Sequence, residues 1–170
     1  MSNPVLRAWT ADDCGTVRSI ARETWKAAYG AFIPEADLRA YLDTHYADRV
    51  LQEKINNPSF RGYIASWDGV DAAYMIVAIG PQENRCYVSS VYVLPSFQGR
   101  GIGGVLLAEA RRCAREKGLD RIWLGVMVDN SAARAWYERN GFLFTERAPF
   151  TMGATTVEHL IGYQLLDNVS

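Results

Sequence analysis

Apolar and polar positions along this chain change period several times, and each change predicts an element. Pro4 to Trp9 reads as a first strand, followed by Thr10-Ala-Asp-Asp as a helix start with Thr10 as N-cap. Val17, Ile20, Ala21, Thr24, Trp25 and Ala28 then recur at helical spacing, so one face of this helix is expected on the core until Tyr29-Gly30 ends it. Pro34-Glu35 opens a short helix through Leu42, and Ala47 to Asn56 offers another before Pro58. Phe60 to Ser66 and Ala72 to Ile79 are expected strands joined by a turn at Trp67 to Val70. A polar turn, Gly80 to Asn84, leads to Tyr87–Leu94 and completes an antiparallel meander. Val105 to Lys117 is helical, with Gly118 as its stop. Arg121 to Val126 reads as a short buried strand, placed parallel to Val88–Leu94 by the right-handed crossover rule. Asp129-Asn130-Ser131 caps a helix reaching Asn140 and Gly141. Phe142 to Glu146 and Glu158 to Leu166 are two closing strands, connected by Pro149 to Thr156. With no linker, repeat or low-complexity stretch, residues 1–170 read as one α/β domain.

Composition narrows the partners. The chain has 170 residues, 49% of them hydrophobic, enough for one well-filled core. Basic and acidic residues nearly balance, 18 against 19, which gives no footprint for nucleic acid. Cys14, Cys86 and Cys113 lack metal-type spacing and read as reduced core thiols of a cytoplasmic protein, with no metal expected. No basic start precedes an apolar run and no membrane-length apolar segment occurs, so neither secretion nor membrane association is expected.

The chemistry-bearing stretch is the junction of the central strand with its helix. After Pro95 comes Gln98-Gly99-Arg100-Gly101-Ile102-Gly103-Gly104, running straight into the helix. A helix start carries amides without internal partners and the positive end of the helix dipole, so a phosphate is a natural guest. Glycines let it approach the backbone, and Arg100 adds a charge. Further on, Asn130, Ala133 and Tyr137 share one helical face, which begins small and polar and ends in a phenol. Spacing alone favours Trp136 and Tyr137 as core aromatics of an amphipathic helix. Between Glu23 and Asp48, Trp25, Tyr29, Phe32, Tyr41 and Tyr46 mingle with Glu23, Glu35, Asp37, Asp43 and Asp48. That mixture reads either as core aromatics with solvated acids or as an acidic, aromatic-lined mouth for a cationic amine.

Together these segments resemble the GNAT superfamily of N-acetyltransferases. Gln98-Gly99-Arg100-Gly101-Ile102-Gly103 matches its Gln/Arg-x-x-Gly-x-Gly/Ala signature, preceded by Val91-Tyr92-Val93 and Pro95. Asn130, Tyr137, Gly141 and Phe142 match its second signature. Phe32-Ile33-Pro34-Glu35, Ile122 to Val126 and Phe150 to Gly153 look like the bacterial spermidine/spermine acetyltransferase branch. The resemblance implies a mixed, mostly antiparallel sheet of about seven strands flanked by helices, with a splayed parallel pair in the middle. It also implies acetyl-CoA as co-substrate and a small-molecule primary amine as acceptor, a polyamine such as spermidine or spermine being favoured. A homodimer is compatible with the sequence. A rival dinucleotide-binding reading of Gly99, Gly101 and Gly104 fails, because Asp120 precedes the next strand and residues 95–98 separate strand from glycines.

By the same resemblance the CoA pyrophosphate rests on the amides of Gly99 to Gly104, and the pantetheine arm pairs with the backbone of Val91 and Val93. Tyr137 is then the general acid that protonates the departing thiolate. Glu23, Trp25, Tyr29, Ser89 and Ser90 are expected on the acceptor side. An alkylamine must first lose a proton, at a cost on the order of 4–5 kcal/mol at neutral pH. Many relatives carry a glutamate on the central strand, and this chain has Ser89 and Ser90 there. The base is therefore open between Glu23, Glu83 and a serine-held water, with His45 worth testing and His159 expected to be structural. Another amine acceptor, or a non-catalytic acyl-CoA sensor, remains the alternative.

Overall fold

The computed structural model describes residues 2–80 and 84–167; Glu83 and part of the polar turn read at Gly80 to Asn84 lie outside them. Seven strands form one sheet in the order β1-β2-β3-β4-β5-β7-β6. They are β1 (Val5–Ala8), β2 (Phe60–Trp67), β3 (Val70–Gly80), β4 (Arg85–Val93), β5 (Arg121–Met127), β6 (Leu143–Met152) and β7 (Thr155–Leu165). All neighbours are antiparallel except β4 and β5, the parallel pair required by the crossover through helix α4 (Ile102–Glu116).

One face of the sheet is covered by α4 and α5 (Ser131–Arg139). Ile102, Leu106, Leu107, Ala110, Cys113 and Ala114 of α4, at helical spacing, pack there on Met75, Val77, Cys86, Val88, Ile122 and Leu124. Each such fully buried leucine contributes about 1.5–3 kcal/mol of transfer free energy. The other face carries α1 (Cys14–Tyr29), α2 (Glu35–His45) and α3 (Asp48–Ile55), whose Val17, Ile20, Trp25, Leu38, Leu42 and Leu51 meet Ile64, Tyr74 and Ile76. Cys14, Cys86 and Cys113 are all buried free thiols.

Two boundaries differ from the sequence reading. Thr10 starts a short 3-10 turn, Ala11–Asp13, rather than α1 itself. Asp13 accepts from the Thr10 amide at 2.7 Å while Arg7 grips the same carboxylate at 2.8 and 2.9 Å. The closing strands are also longer than Phe142–Glu146 and Glu158–Leu166. Most of the expected connector, Pro149 to Thr156, is strand, paired from Pro149↔Glu158 to Met152↔Thr155. A tertiary contact explains this. Asp37 of α2 accepts from the Ala154 amide at 2.9 Å and the Thr155 hydroxyl at 2.5 Å, pinning the hairpin tip. Gly153, at φ +56°, sits so close to Asp37 that no side chain fits.

Candidate active site

The parallel pair β4–β5 is registered only at Cys86↔Ile122, Tyr87↔Trp123 and Val88↔Leu124. At that point β4 carries a bulge: Ile76 faces Ser90 while Val77 faces Val88, so Ser89 is the extra residue. Its hydroxyl turns back onto the Ile76 carbonyl at 3.2 Å. Beyond the bulge, β4 keeps its pairing to β3 through Val93, while its β5 side has no strand partner among the described residues. The backbone of Val91, Tyr92 and Val93 thus offers an open edge that an extended ligand arm can extend as an extra strand.

The end of that edge leads to the glycine turn. Gln98 Nε2 donates to the Val93 carbonyl at 3.2 Å, tying the turn to the strand. Gly99 and Gly101 both take φ +78°, a left-handed conformation costly for any other residue. Gly101 is the N-cap of α4, and the first helical bond runs from Val105 N–H to its carbonyl at 3.2 Å. The amides of Ile102, Gly103 and Gly104 therefore precede the ladder and point out of the helix end. Gly103 lets the Trp136 ring close to 3.0 Å of where a Cβ would stand, whereas Gly104 faces open space. Arg100 does not stand free. Its guanidinium lies 5.4 Å from the Trp67 ring and 5.2 Å from the Phe97 ring and donates to the Ser96 carbonyl at 3.4 Å.

Helix α5 closes the far side of the splay. Asn130 caps it, its Oδ1 accepting from Ala133 N–H at 3.4 Å, and half-buried Ala133 packs on the same core as Val91 and Val93. Tyr137 is only 9% exposed, wedged edge-on against Trp136 and Phe142. Burial pushes its phenol up, and the neighbouring Tyr29 adds to that. The phenol is consequently protonated throughout the neutral range.

On the α1–α2 side, the sequence-predicted aromatics do converge. Tyr29 and Tyr92 hydroxyls are 2.8 Å apart, and Trp25 packs edge-on against Tyr41, Tyr46 and Tyr92. Ser90 Oγ lies 2.8 Å from the Tyr46 hydroxyl, which accepts in turn from Tyr74 at 3.0 Å. Desolvation raises Tyr29 and Tyr46 to about 12, so neither serves as a neutral-pH base. Trp25 Nε1, fully buried, has no hydrogen-bond partner among the described residues. Tyr74 was not foreseen, because its position in a strand carries no mark of the buried hydroxyl chain it joins.

The acids do not converge with the aromatics, which corrects the acidic mouth. Glu23 is exposed on α1, two residues from buried Trp25 and so on another face. Asp37 is spent on the hairpin tip, and Asp48 is paired with Arg18. Glu35 lines a groove of about 370 Å³ between α1 and α2, but there it faces Arg22, Lys26 and Arg39 over a floor of Trp25, Leu38 and Leu42. His45 stacks on Tyr41 at 4.2 Å, outside this chain of hydroxyls.

Known proteins share this fold. The sequence model of the Acetyltransferase (GNAT) family matches residues 18–142. A spermidine N(1)-acetyltransferase from Thermoplasma acidophilum is 24% identical over 139 residues, covering 81% of this chain and 86% of its own. An uncharacterized N-acetyltransferase of Mycobacterium tuberculosis is 24% identical over 142 residues, covering 84% and 90%. Among solved structures, the PaiA N-acetyltransferase from Thermoplasma acidophilum in complex with coenzyme A superposes with a TM-score of 0.83 at 22% identity, over 96% of this chain and 99% of that one.

Proposed function

The chain belongs to the GNAT acetyltransferase family and is an acetyl-CoA-dependent N-acetyltransferase, and from that premise we propose that it moves the acetyl group directly to a primary amine of a small molecule. The observation that carries this is the conjunction at the splay: an open strand edge at Val91–Val93, free helix-start amides at 102–104 and the buried Tyr137 phenol. In this reading the amides take the pyrophosphate, the β4 edge takes the pantetheine arm, and Asn130 and Ala133 hold the start of α5 against it. The departing sulfur then takes its proton from Tyr137. Glycine-turn amides at a helix start suit the phosphates, and in this reading a β4 amide near Val93 polarises the thioester oxygen.

For the acceptor, a polyamine such as spermidine or spermine is the first reading, supported by the spermidine acetyltransferase relative. A second reading rests on the groove between α1 and α2. Three cations and one acid line it, which favours an amine that also bears a carboxylate or phosphate. CoA release with acetyl-CoA and a panel of spermidine, spermine, putrescine, an aminoglycoside, a lysine peptide and free amino acids tests both. Turnover on the polyamines alone supports the first reading, and turnover on acid-bearing amines alone supports the second. Binding of acetyl-CoA with no transfer to any amine would overturn the proposal in favour of an acyl-CoA sensor.

A further inference from the structure

Removing a proton from the acceptor ammonium requires a base, and the sheet face toward α1 and α2 holds one that the sequence pattern hides. His159 lies on β7, opposite Met127 of β5. Its Nδ1 is 2.7 Å from the Ala148 carbonyl. A carbonyl only accepts, so the hydrogen sits on Nδ1 and the Nε2 lone pair is left free. The ring leans over Gly125: a Cβ there would come within 2.7 Å of its Cδ2 and 3.3 Å of Nε2. The same absent Cβ would lie 2.8 Å from the Tyr87 hydroxyl. Two polar groups thus converge over one bare backbone position.

That position is not arbitrary. Gly125 directly follows Leu124, the last β5 residue registered with β4, so the bare spot is at the mouth of the splay. Phe150 buttresses the imidazole at 5.4 Å. The titratable groups around it are Tyr87 beside it on β4, Tyr41 of α2 behind Phe150, and the Arg85–Glu146 pair farther along the same face. None of these is a carboxylate touching the ring. Meanwhile Ser90 is engaged with Tyr46, Ser89 with a backbone carbonyl, and Glu23 is exposed.

We propose that His159 is the general base of the transfer, its Nε2 taking a proton from the acceptor ammonium at the splay while the Tyr87 hydroxyl orients the amine. The assignment rests on the amine-transfer reading above. The freed nitrogen lone pair forms the C–N bond to the acetyl carbonyl, and the C–S bonding pair leaves on sulfur. Of the two protons the ammonium sheds, one passes through Nε2 to solvent. The other balances the proton that Tyr137 delivers to sulfur, returning through solvent to the phenolate.

His159→Asn is the deciding variant, because the asparagine amide keeps a donor for the Ala148 carbonyl and has no basic nitrogen. General-base removal lowers kcat/KM by about 100-fold or more at pH 7. The deficit should shrink as pH rises toward the acceptor's own pKa, with acetyl-CoA affinity by calorimetry and the melting temperature unchanged. Wild-type turnover at pH 7, or a deficit equal at every pH, overturns the assignment. Where the asparagine variant does not fold, Gly125→Ala fills the bare spot and forces the His159 ring and the Tyr87 hydroxyl away from it, and should cost at least about tenfold in kcat with acetyl-CoA binding intact; unaltered kcat there overturns it equally. If the wild-type protein transfers to no amine, the transfer reading falls and takes His159 with it. If it transfers and the variants are unimpaired, only His159 falls.

Discussion

The Tyr46 hydroxyl sits 2.8 Å from Ser90 Oγ and simultaneously accepts from Tyr74 at 3.0 Å, so the residue after α2 is bonded to the central strand just past Val88, the last β4 residue paired with β5. Both tyrosines are buried, Tyr74 completely. The contact holds α1–α2 against the mouth of the splay through hydrogen bonds as well as apolar packing.

Removing one hydroxyl from this chain therefore strands another. Tyr46→Phe leaves the Tyr74 hydroxyl buried without its acceptor, at a cost of about 1–3 kcal/mol. For a chain of this size the melting temperature should fall by about 2–4 °C per kcal/mol. The double variant Tyr46→Phe/Tyr74→Phe removes donor and acceptor together and should recover part of that loss. Thermal denaturation of the three proteins checks it, and a double variant less stable than the sum of the singles would contradict the orphaned-hydroxyl account.

Tyr137→Phe separates binding from turnover. The ring keeps its edge contacts with Trp136 and Phe142, so acetyl-CoA affinity and melting temperature should stay near wild type. Loss of a general acid lowers kcat by about 10²–10⁴-fold. Steady-state kinetics beside isothermal titration decides it; full turnover by the phenylalanine variant ends the general-acid role.

Gly104 gives a sharper test of the phosphate cradle. A Cβ there meets nothing within 4 Å, and alanine inside a helix is favoured over glycine by about 0.5–1 kcal/mol. Gly104→Ala should therefore leave the protein as stable or more stable while weakening acetyl-CoA, because the methyl stands beside the free amides. Stability up and affinity down is a combination that a purely structural glycine does not give. At Gly101, by contrast, φ is +78°, and alanine should cost about 1–2 kcal/mol in folding as well.

Strand and helix order and the glycine turn were legible because they rest on local periodicity and local turn chemistry, and the parallel placement of β5 because the crossover through α4 admits one hand. The hairpin β6–β7 was read short because what extends it, the grip of Asp37 on Ala154 and Thr155, joins residues 117 and 118 apart in sequence. The acids between Glu23 and Asp48 stand apart from the aromatics for a related reason. Helical phase puts Glu23 off the Trp25 face, and pairing consumes Asp37 and Asp48, facts that composition of the segment does not encode. His159 reads as structural from its place in a closing strand, and its Nδ1 bond to Ala148 fits that; the bare Gly125 beneath the ring is a neighbour on another strand that the local sequence does not reveal.

Asp13 sets part of the acid sensitivity. The Arg7 guanidinium, then the Thr10 amide, hold this buried carboxyl below its ordinary value against the opposing cost of burial. A carboxyl depressed in the folded state contributes stability that is fully present above its unfolded pKa, about 3.9, and is lost as pH falls through the folded value. Asp13→Asn should lower the melting temperature at pH 7 and lose less than wild type between pH 5 and pH 2. Parallel melting curves for the two proteins over that window would contradict the linkage.

The cationic wall of the α1–α2 groove discriminates the two acceptor readings by sign. Arg22 and Lys26 are i, i+4 neighbours on α1, so their charges add over the same floor of Trp25, Leu38 and Leu42. Arg22→Gln/Lys26→Gln removes two like charges without touching the splay, so kcat should hold for either acceptor class. If a polycation enters through this groove, the wild-type cations repel it and KM for spermidine should fall in the double variant. If the acceptor carries an acid that the groove receives, KM for that amine should rise instead. Either change should be largest at low ionic strength and fade toward 1 M salt, where the screening length is about 3 Å. A KM that moves for neither class, at any salt, would mean that acceptors do not pass between α1 and α2 at all.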